Sequence, residues 1–209
     1  MRSSKVSWMN MDINIFPSIK LIVVLIFLCV AACQLQGKEE SPAPKPEKPI
    51  VPEIMFELAL QNSKSYVPER FIREIVESAY QTDRPVLLLA LITVESHFDP
   101  FAVSVSDAVG CAQIIPKYWL GELVDNKIIR SNRDLRDPKK CTLIADYVLG
   151  KYLEKYNGDI EKALAAYNCG PNNRKCLATT GRKYTKKILA KYDEYLYYLK
   201  SKNTKTKNN

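Results

Sequence analysis

The sequence predicts a mainly α-helical domain, and three observations lead there. Between about Ile54 and Lys200 the apolar residues recur at helical spacing, with little of the strict alternation of a half-buried strand. Cap-plus-proline starts recur, most plainly at Asp137-Pro138. Val86-Leu87-Leu88-Leu89-Ala90-Leu91-Ile92-Thr93-Val94 is apolar on nearly every side, as a central buried helix would be.

The elements follow in order. From Pro68 to Tyr80, Phe71, Ile72, Ile75, Val76 and Ala79 share one face, and Pro68 suits a first turn. Asp83 is expected to cap the next helix, which has Pro85 in its first turn and runs to about Ser96. Asp137-Pro138 opens a helix reaching about Tyr156, with Gly158 as its stop. Asp159 can cap Ile160 to Asn168, which Gly170-Pro171 ends. A last helix, about Lys183 to Leu199, carries Tyr184, Tyr192, Tyr195, Tyr197 and Tyr198, a stripe whose spacing points to packing. Residues 201–209 are Lys- and Asn-rich and read as a disordered, solvated tail.

The N-terminus sets the compartment. Lys20 precedes the uncharged run Leu21 to Val30, which has the length of a signal-peptide core and is short for a span of about 20 residues. Val30-Ala31-Ala32-Cys33 resembles a bacterial lipobox. The resemblance implies a signal peptide over residues 1–32 and a lipidated Cys33, stably anchored by several acyl chains. Cys29 is a poorer acylation site, since bulky Phe27 and Leu28 precede it. Gln34, in place of the Asp that retains such proteins at the inner membrane, implies the outer membrane, facing the periplasm. Residues 33–53 then form a Pro-rich charged tether, extended at roughly 3 Å per residue. The catalytic candidate is the domain over 54–200.

The 209 residues carry 31 Lys and Arg against 23 Asp and Glu, a formal charge of +8. Loss of residues 1–32 leaves 28 cations against 22 anions, or +6. A basic surface suits any polyanion, and an export signal argues against nucleic acid. Cys111, Cys141, Cys169 and Cys176 remain in the exported domain, where disulfides are the default. Three pairings are possible. Cys169 and Cys176 flank a short polar loop and are the favoured pair, leaving Cys111 with Cys141. A metal centre is disfavoured, because there is no CxxC and His97 is the single histidine.

The chemistry centres on Glu95-Ser96-His97-Phe98-Asp99-Pro100. A carboxylate at the end of an apolar helix is costly when ionised, so it is either a structural acid or a tuned proton donor. Further on stand Ser104 and Gly110-Cys111-Ala112-Gln113-Ile114-Ile115-Pro116, and then Ala165-Ala166-Tyr167-Asn168-Cys169-Gly170-Pro171. In order and spacing these blocks resemble the lysozyme-like soluble lytic transglycosylases. The match departs at Asp107, where that family usually has Gly, at Cys111 and Ala112 for Leu and Met, and at Cys169 for Ala.

The resemblance implies a lysozyme-like helical fold and action on peptidoglycan glycan strands. The bond cut is that between N-acetylmuramic acid and N-acetylglucosamine, with formation of a 1,6-anhydro end and no cofactor. One acid suffices for this reaction, whereas retaining and inverting glycosidases use two carboxylates. By the same resemblance, Glu95 is the acid and then the base. Ser104 orients an acetamido group, Gln113 lines the cleft, Tyr167 places its hydroxyl near the acid, and Asn168 holds its turn. Ser96 either meets substrate or caps locally, and Tyr184 is a further substrate-binding candidate. His97 reads as a surface or supporting residue. Asp107 reads as a solvated turn residue rather than the second carboxylate of a hydrolase. No protein partner is visible in the sequence.

Overall fold

The structure is a computed structural model that describes residues 50–206. The signal peptide, Cys33 and the tether up to residue 49 lie outside the described residues. Among the described residues there are seven α-helices of ten residues or more and no extended strand. They are α1 (Ile50–Asn62), α2 (Glu69–Ala79), α3 (Pro85–Ser96), α4 (Pro116–Asp125), α5 (Pro138–Lys155), α6 (Ile160–Cys169) and α7 (Arg182–Thr206). A 3-10 turn, Asn132–Arg136, precedes α5, and a π-helical turn, Leu177–Gly181, leads into α7.

Helix α3 is the axis of the domain. Leu87 to Thr93 are all buried, and α1, α2, α5 and α7 pack around it. Each fully buried leucine here contributes about 1.5–3 kcal/mol, which drives this segment inward. The polar exception, Thr93, is satisfied locally. Its hydroxyl donates to the Leu89 carbonyl at 2.8 Å and lies 2.6 Å from the hydroxyl of Tyr195, a fully buried residue of α7. A buried Thr142–Ser78 hydrogen bond of 2.6 Å joins α5 to α2. The tyrosine stripe of α7 therefore packs in part, through Tyr184 and Tyr195, while Tyr197 is exposed.

Several expected caps form. Asp137 accepts from the Lys139 amide and Asp159 from the Lys162 amide, each at 3.0 Å. Gly158 and Gly170 adopt positive φ, 82° and 68°, past the ends of α5 and α6. Three expectations change. Asp83 does not cap α3: the N-cap is Arg84, without a side-chain cap. Pro85 at the first position removes one donor that would need capping, and the Arg84 guanidinium pairs with Asp146 of α5 at 2.6 Å. Helix α1 begins at Ile50, inside the stretch read as tether. Helix α7 runs to Thr206, beyond Leu199, because no Gly or Pro interrupts the Lys-rich end. Helix α4 had no sequence expectation; Leu123 is its one buried residue.

Both favoured disulfides form. Cys111 is bonded to Cys141, with Cα atoms 5.9 Å apart, and Cys169 to Cys176, at 5.7 Å. The first ties the loop after α3 to the first turn of α5. The second closes the loop between α6 and α7.

Candidate active site

Glu95 stands in the last turn of α3, and the helix ends one residue later, at Ser96, because His97 turns left-handed, at φ 55°. Phe98 follows at φ 64° with its side chain fully buried. Two successive positive φ values in non-glycine residues are costly, and burial of the Phe98 ring holds them in place. The chain thus leaves α3 sharply, and the half-buried Glu95 keeps its carboxyl beside the core.

The carboxyl meets α7 from across the domain. The Tyr184 hydroxyl donates to Glu95 Oε1. Burial pushes the Glu95 carboxyl up to about 7, and the Tyr184 bond pulls in the opposite direction without overcoming it. No other carboxylate among the described residues contributes to that shift. Burial, and then the Glu95 charge, raise Tyr184 well above the usual tyrosine range, so it stays a donor at any working pH. Tyr167 is raised by the same two causes, so it too senses the Glu95 charge. Its hydroxyl, however, donates to the Ala112 carbonyl at 2.8 Å. The hydroxyl on the acid is that of Tyr184, 89 positions from Glu95, rather than that of Tyr167.

The wall opposite is built from the loop between α3 and α4. Isolated bridges pair Val103 with Val109 and Val109 with Ile114. Ser104 sits in the turn, where its Oγ accepts from the amides of Ser106 at 3.2 Å and Ala108 at 3.1 Å. Both bonds fill the oxygen lone pairs and leave the hydroxyl hydrogen to donate. Gln113, at φ 50°, gives its amide hydrogens to the carbonyls of Gly110 at 2.8 Å and Ala102 at 3.3 Å. Its Oε1 is left as the acceptor. Gly110 has φ 79°, and a Cβ there would collide with the Leu135 carbonyl.

Other candidates fall outside this group. Ser96 is buried and donates to the Cys111 carbonyl at 2.9 Å, so its hydroxyl braces the wall. Asn168 is exposed at the end of α6, and the turn there is closed by the Gly170 amide on the Ala166 carbonyl. His97 is exposed. Asp107 is exposed at φ 60°, a conformation that Asp tolerates and that explains why Gly also suits the position. None of these residues lines the cavity of about 680 Å³ bounded by Lys162, Arg182 and Leu189 on the outer side of α6 and α7.

Sequence reading did not find the cluster around Asp99. This buried carboxylate receives the Tyr66 hydroxyl at 2.6 Å, the Phe101 amide at 2.9 Å and Lys64 Nζ at 3.1 Å. The Asp99-Pro100 pair just past the helix end was the one available signal.

One comparison bears on this geometry. The family model for the transglycosylase SLT domain matches residues 74–189, more than half of the chain. The match begins in α2, takes in Glu95, the Ser104–Gln113 wall and Tyr167, and ends just beyond Tyr184.

Proposed function

The chain belongs to the transglycosylase SLT family, and we propose that Glu95 alone serves as acid and base in an anhydro-forming cleavage of peptidoglycan. Family membership makes the protein a lytic transglycosylase acting on peptidoglycan, and so an enzyme of the cell envelope. The bond proposed is that from N-acetylmuramic acid to N-acetylglucosamine. The observation that carries the reading is the Glu95 carboxyl held near 7 by burial, without a neighbouring carboxylate among the causes.

A carboxyl with that value is protonated in useful amount near neutrality and is a competent base once the proton has left. In the first step Glu95 gives its proton to the glycosidic oxygen, and the bond to the muramic anomeric carbon breaks. The acetamido group of the same sugar assists at that carbon, which removes the need for a carboxylate nucleophile. In the second step the Glu95 carboxylate takes the proton of the C6 hydroxyl. The freed oxygen bonds to the anomeric carbon and closes the 1,6-anhydro ring. Protons balance, and Glu95 ends as it began. The Tyr184 hydroxyl supports the carboxylate form between the steps. The unspent hydrogen of Ser104 is suited to the acetamido oxygen, and the Gln113 Oε1 to a sugar hydroxyl. Ser96 and Tyr167 act on this reading by holding the wall, through the carbonyls of Cys111 and Ala112.

The Cys33 lipid anchor is part of the same proposal. It would hold the domain on a tether near the glycan, at the outer membrane and facing the periplasm. Among the described residues, no helix is long and apolar enough to cross a membrane. A Cys33→Ser chain is expected to leave the membrane fraction; a variant that still partitions with membranes would remove the anchor from the account. Mass spectrometry of muropeptides released from purified peptidoglycan tests the reaction. Anhydro ends support it, and reducing ends would make the enzyme a hydrolase.

A further inference from the structure

Two exposed aromatic residues are anchored just past the end of the Glu95 helix: Tyr66 is 67% exposed and Phe101 is 59% exposed. A single exposed ring is ordinary, but exposed rings anchored by a common buried group beside an active site are the kind of surface that marks a binding site. One group anchors both residues, Tyr66 by its hydroxyl and Phe101 by its backbone. Asp99 is 5% exposed, and its Oδ2 accepts the Tyr66 hydroxyl at 2.6 Å while its Oδ1 accepts the Phe101 amide at 2.9 Å. Lys64 completes the cluster, with Nζ 3.1 Å from Asp99 and 5.5 Å from the Tyr66 ring centre. The Lys64 amide donates to the His97 carbonyl at 3.2 Å, which fastens this loop to the end of the Glu95 helix. From behind, Phe71 packs edge-on against Phe101, with centroids 5.9 Å apart, and Arg70 lies over the Phe71 ring.

Phe101 also joins the wall described above. The carbonyl of the next residue, Ala102, receives the Gln113 amide, and Ser104 follows two positions later. The cluster therefore adjoins the wall that Ser104 and Gln113 build after α3. Burial raises the Asp99 carboxyl, but the bonds from Tyr66 and the Phe101 amide, with Lys64, outweigh it and hold the group below the usual carboxylate range. Asp99 is thus ionised, and its bonds are intact, at neutral pH.

We propose that Tyr66 and Phe101 form a stacking platform for an N-acetylated aminosugar ring, extending the glycan groove beyond the residues around Glu95. A pyranose ring presents an apolar face of C–H groups to an aromatic ring, and rings fixed before binding lose little freedom on contact. The proposal rests on the glycan-cleaving reading of Glu95, and its test reads binding apart from turnover.

The probes are chitobiose and chitohexaose, titrated calorimetrically into the full chain. Tyr66→Ala and Phe101→Ala are each expected to weaken hexaose binding roughly five- to tenfold and to leave biose binding unchanged, with unaltered thermal melts. Tyr66→Phe keeps the ring but frees it from Asp99, and its loss should be smaller than that of Tyr66→Ala. Unchanged hexaose affinity in both alanine variants would overturn the platform. So would an equal loss on biose and hexaose, or a patch that captures a protein partner while ignoring the sugars. Peptidoglycan digestion separates the two readings. Anhydro products alongside unchanged hexaose affinity would leave the reaction standing and remove the platform. A length-dependent loss without anhydro products would do the reverse.

Discussion

Replacing Glu95 by Gln should stabilise the protein as well as silence it, and the size of the gain should depend on pH. The native carboxyl titrates at about 7 against an ordinary value of 4.5. A folded-state value raised in this way means that the native chain keeps its proton longer than the unfolded chain. The associated stability is fully present below 4.5 and is lost as the pH rises through 7. Integrating the two titrations gives a loss of about 0.2 kcal/mol at pH 4, about 0.8 at pH 5 and about 3 at pH 8. Gln cannot ionise, and its side-chain oxygen can still accept from Tyr184. The variant should therefore match the parent near pH 4 and exceed it by about 3 kcal/mol at pH 8. For a domain of this size that is a rise in Tm of roughly 6–12 °C. Urea unfolding of both proteins at pH 4, 5, 6, 7 and 8 measures it. Parallel stability curves, or a variant less stable at pH 8, would show that Glu95 is not held in the costly state described here.

Three further outcomes follow from particular contacts. Tyr184→Phe removes a hydrogen bond that favours the Glu95 carboxylate, so the alkaline limb of kcat/KM should move upward, with kcat down about tenfold; a pH–rate profile reads both. Gly110→Ala places a Cβ against the Leu135 carbonyl at a positive φ, and should cost more than about 3 kcal/mol, seen as a collapsed thermal melt. Paired Cys111→Ser and Cys141→Ser substitutions open a loop spanning 30 positions and should cost about 3–4 kcal/mol, against about 2.5 for the Cys169–Cys176 pair, spanning 7; urea midpoints compare them.

Local signals carried much of this fold. The apolar run around Leu88 could settle only in a core, and Asp137, Asp159, Gly158 and Gly170 act on their own neighbouring backbone, so each was readable where it stands. The short loop between Cys169 and Cys176 made that pairing legible. What escaped depends on distant partners. Arg84 takes over the start of α3 while its guanidinium reaches Asp146, on another helix. Tyr184 reaches Glu95 across 89 positions, and no periodicity separates it from the packing tyrosines of its stripe. Asp99 draws in Lys64 and Tyr66 from more than 30 positions away, so its neighbours emerge only when the chain is folded. Ser96 was open between substrate and a local bond, and the fold places its hydroxyl on the Cys111 carbonyl; Asn168, expected to hold its turn, stands exposed at the end of α6.

The central claim is that a single carboxyl, Glu95, performs both proton transfers. Digestion of purified peptidoglycan by the parent chain and by Glu95→Gln, read by muropeptide mass spectrometry at neutral pH, tests it directly. The account predicts 1,6-anhydromuramic ends from the parent and none from the variant. Reducing ends from the parent, or anhydro ends from Glu95→Gln, would contradict it.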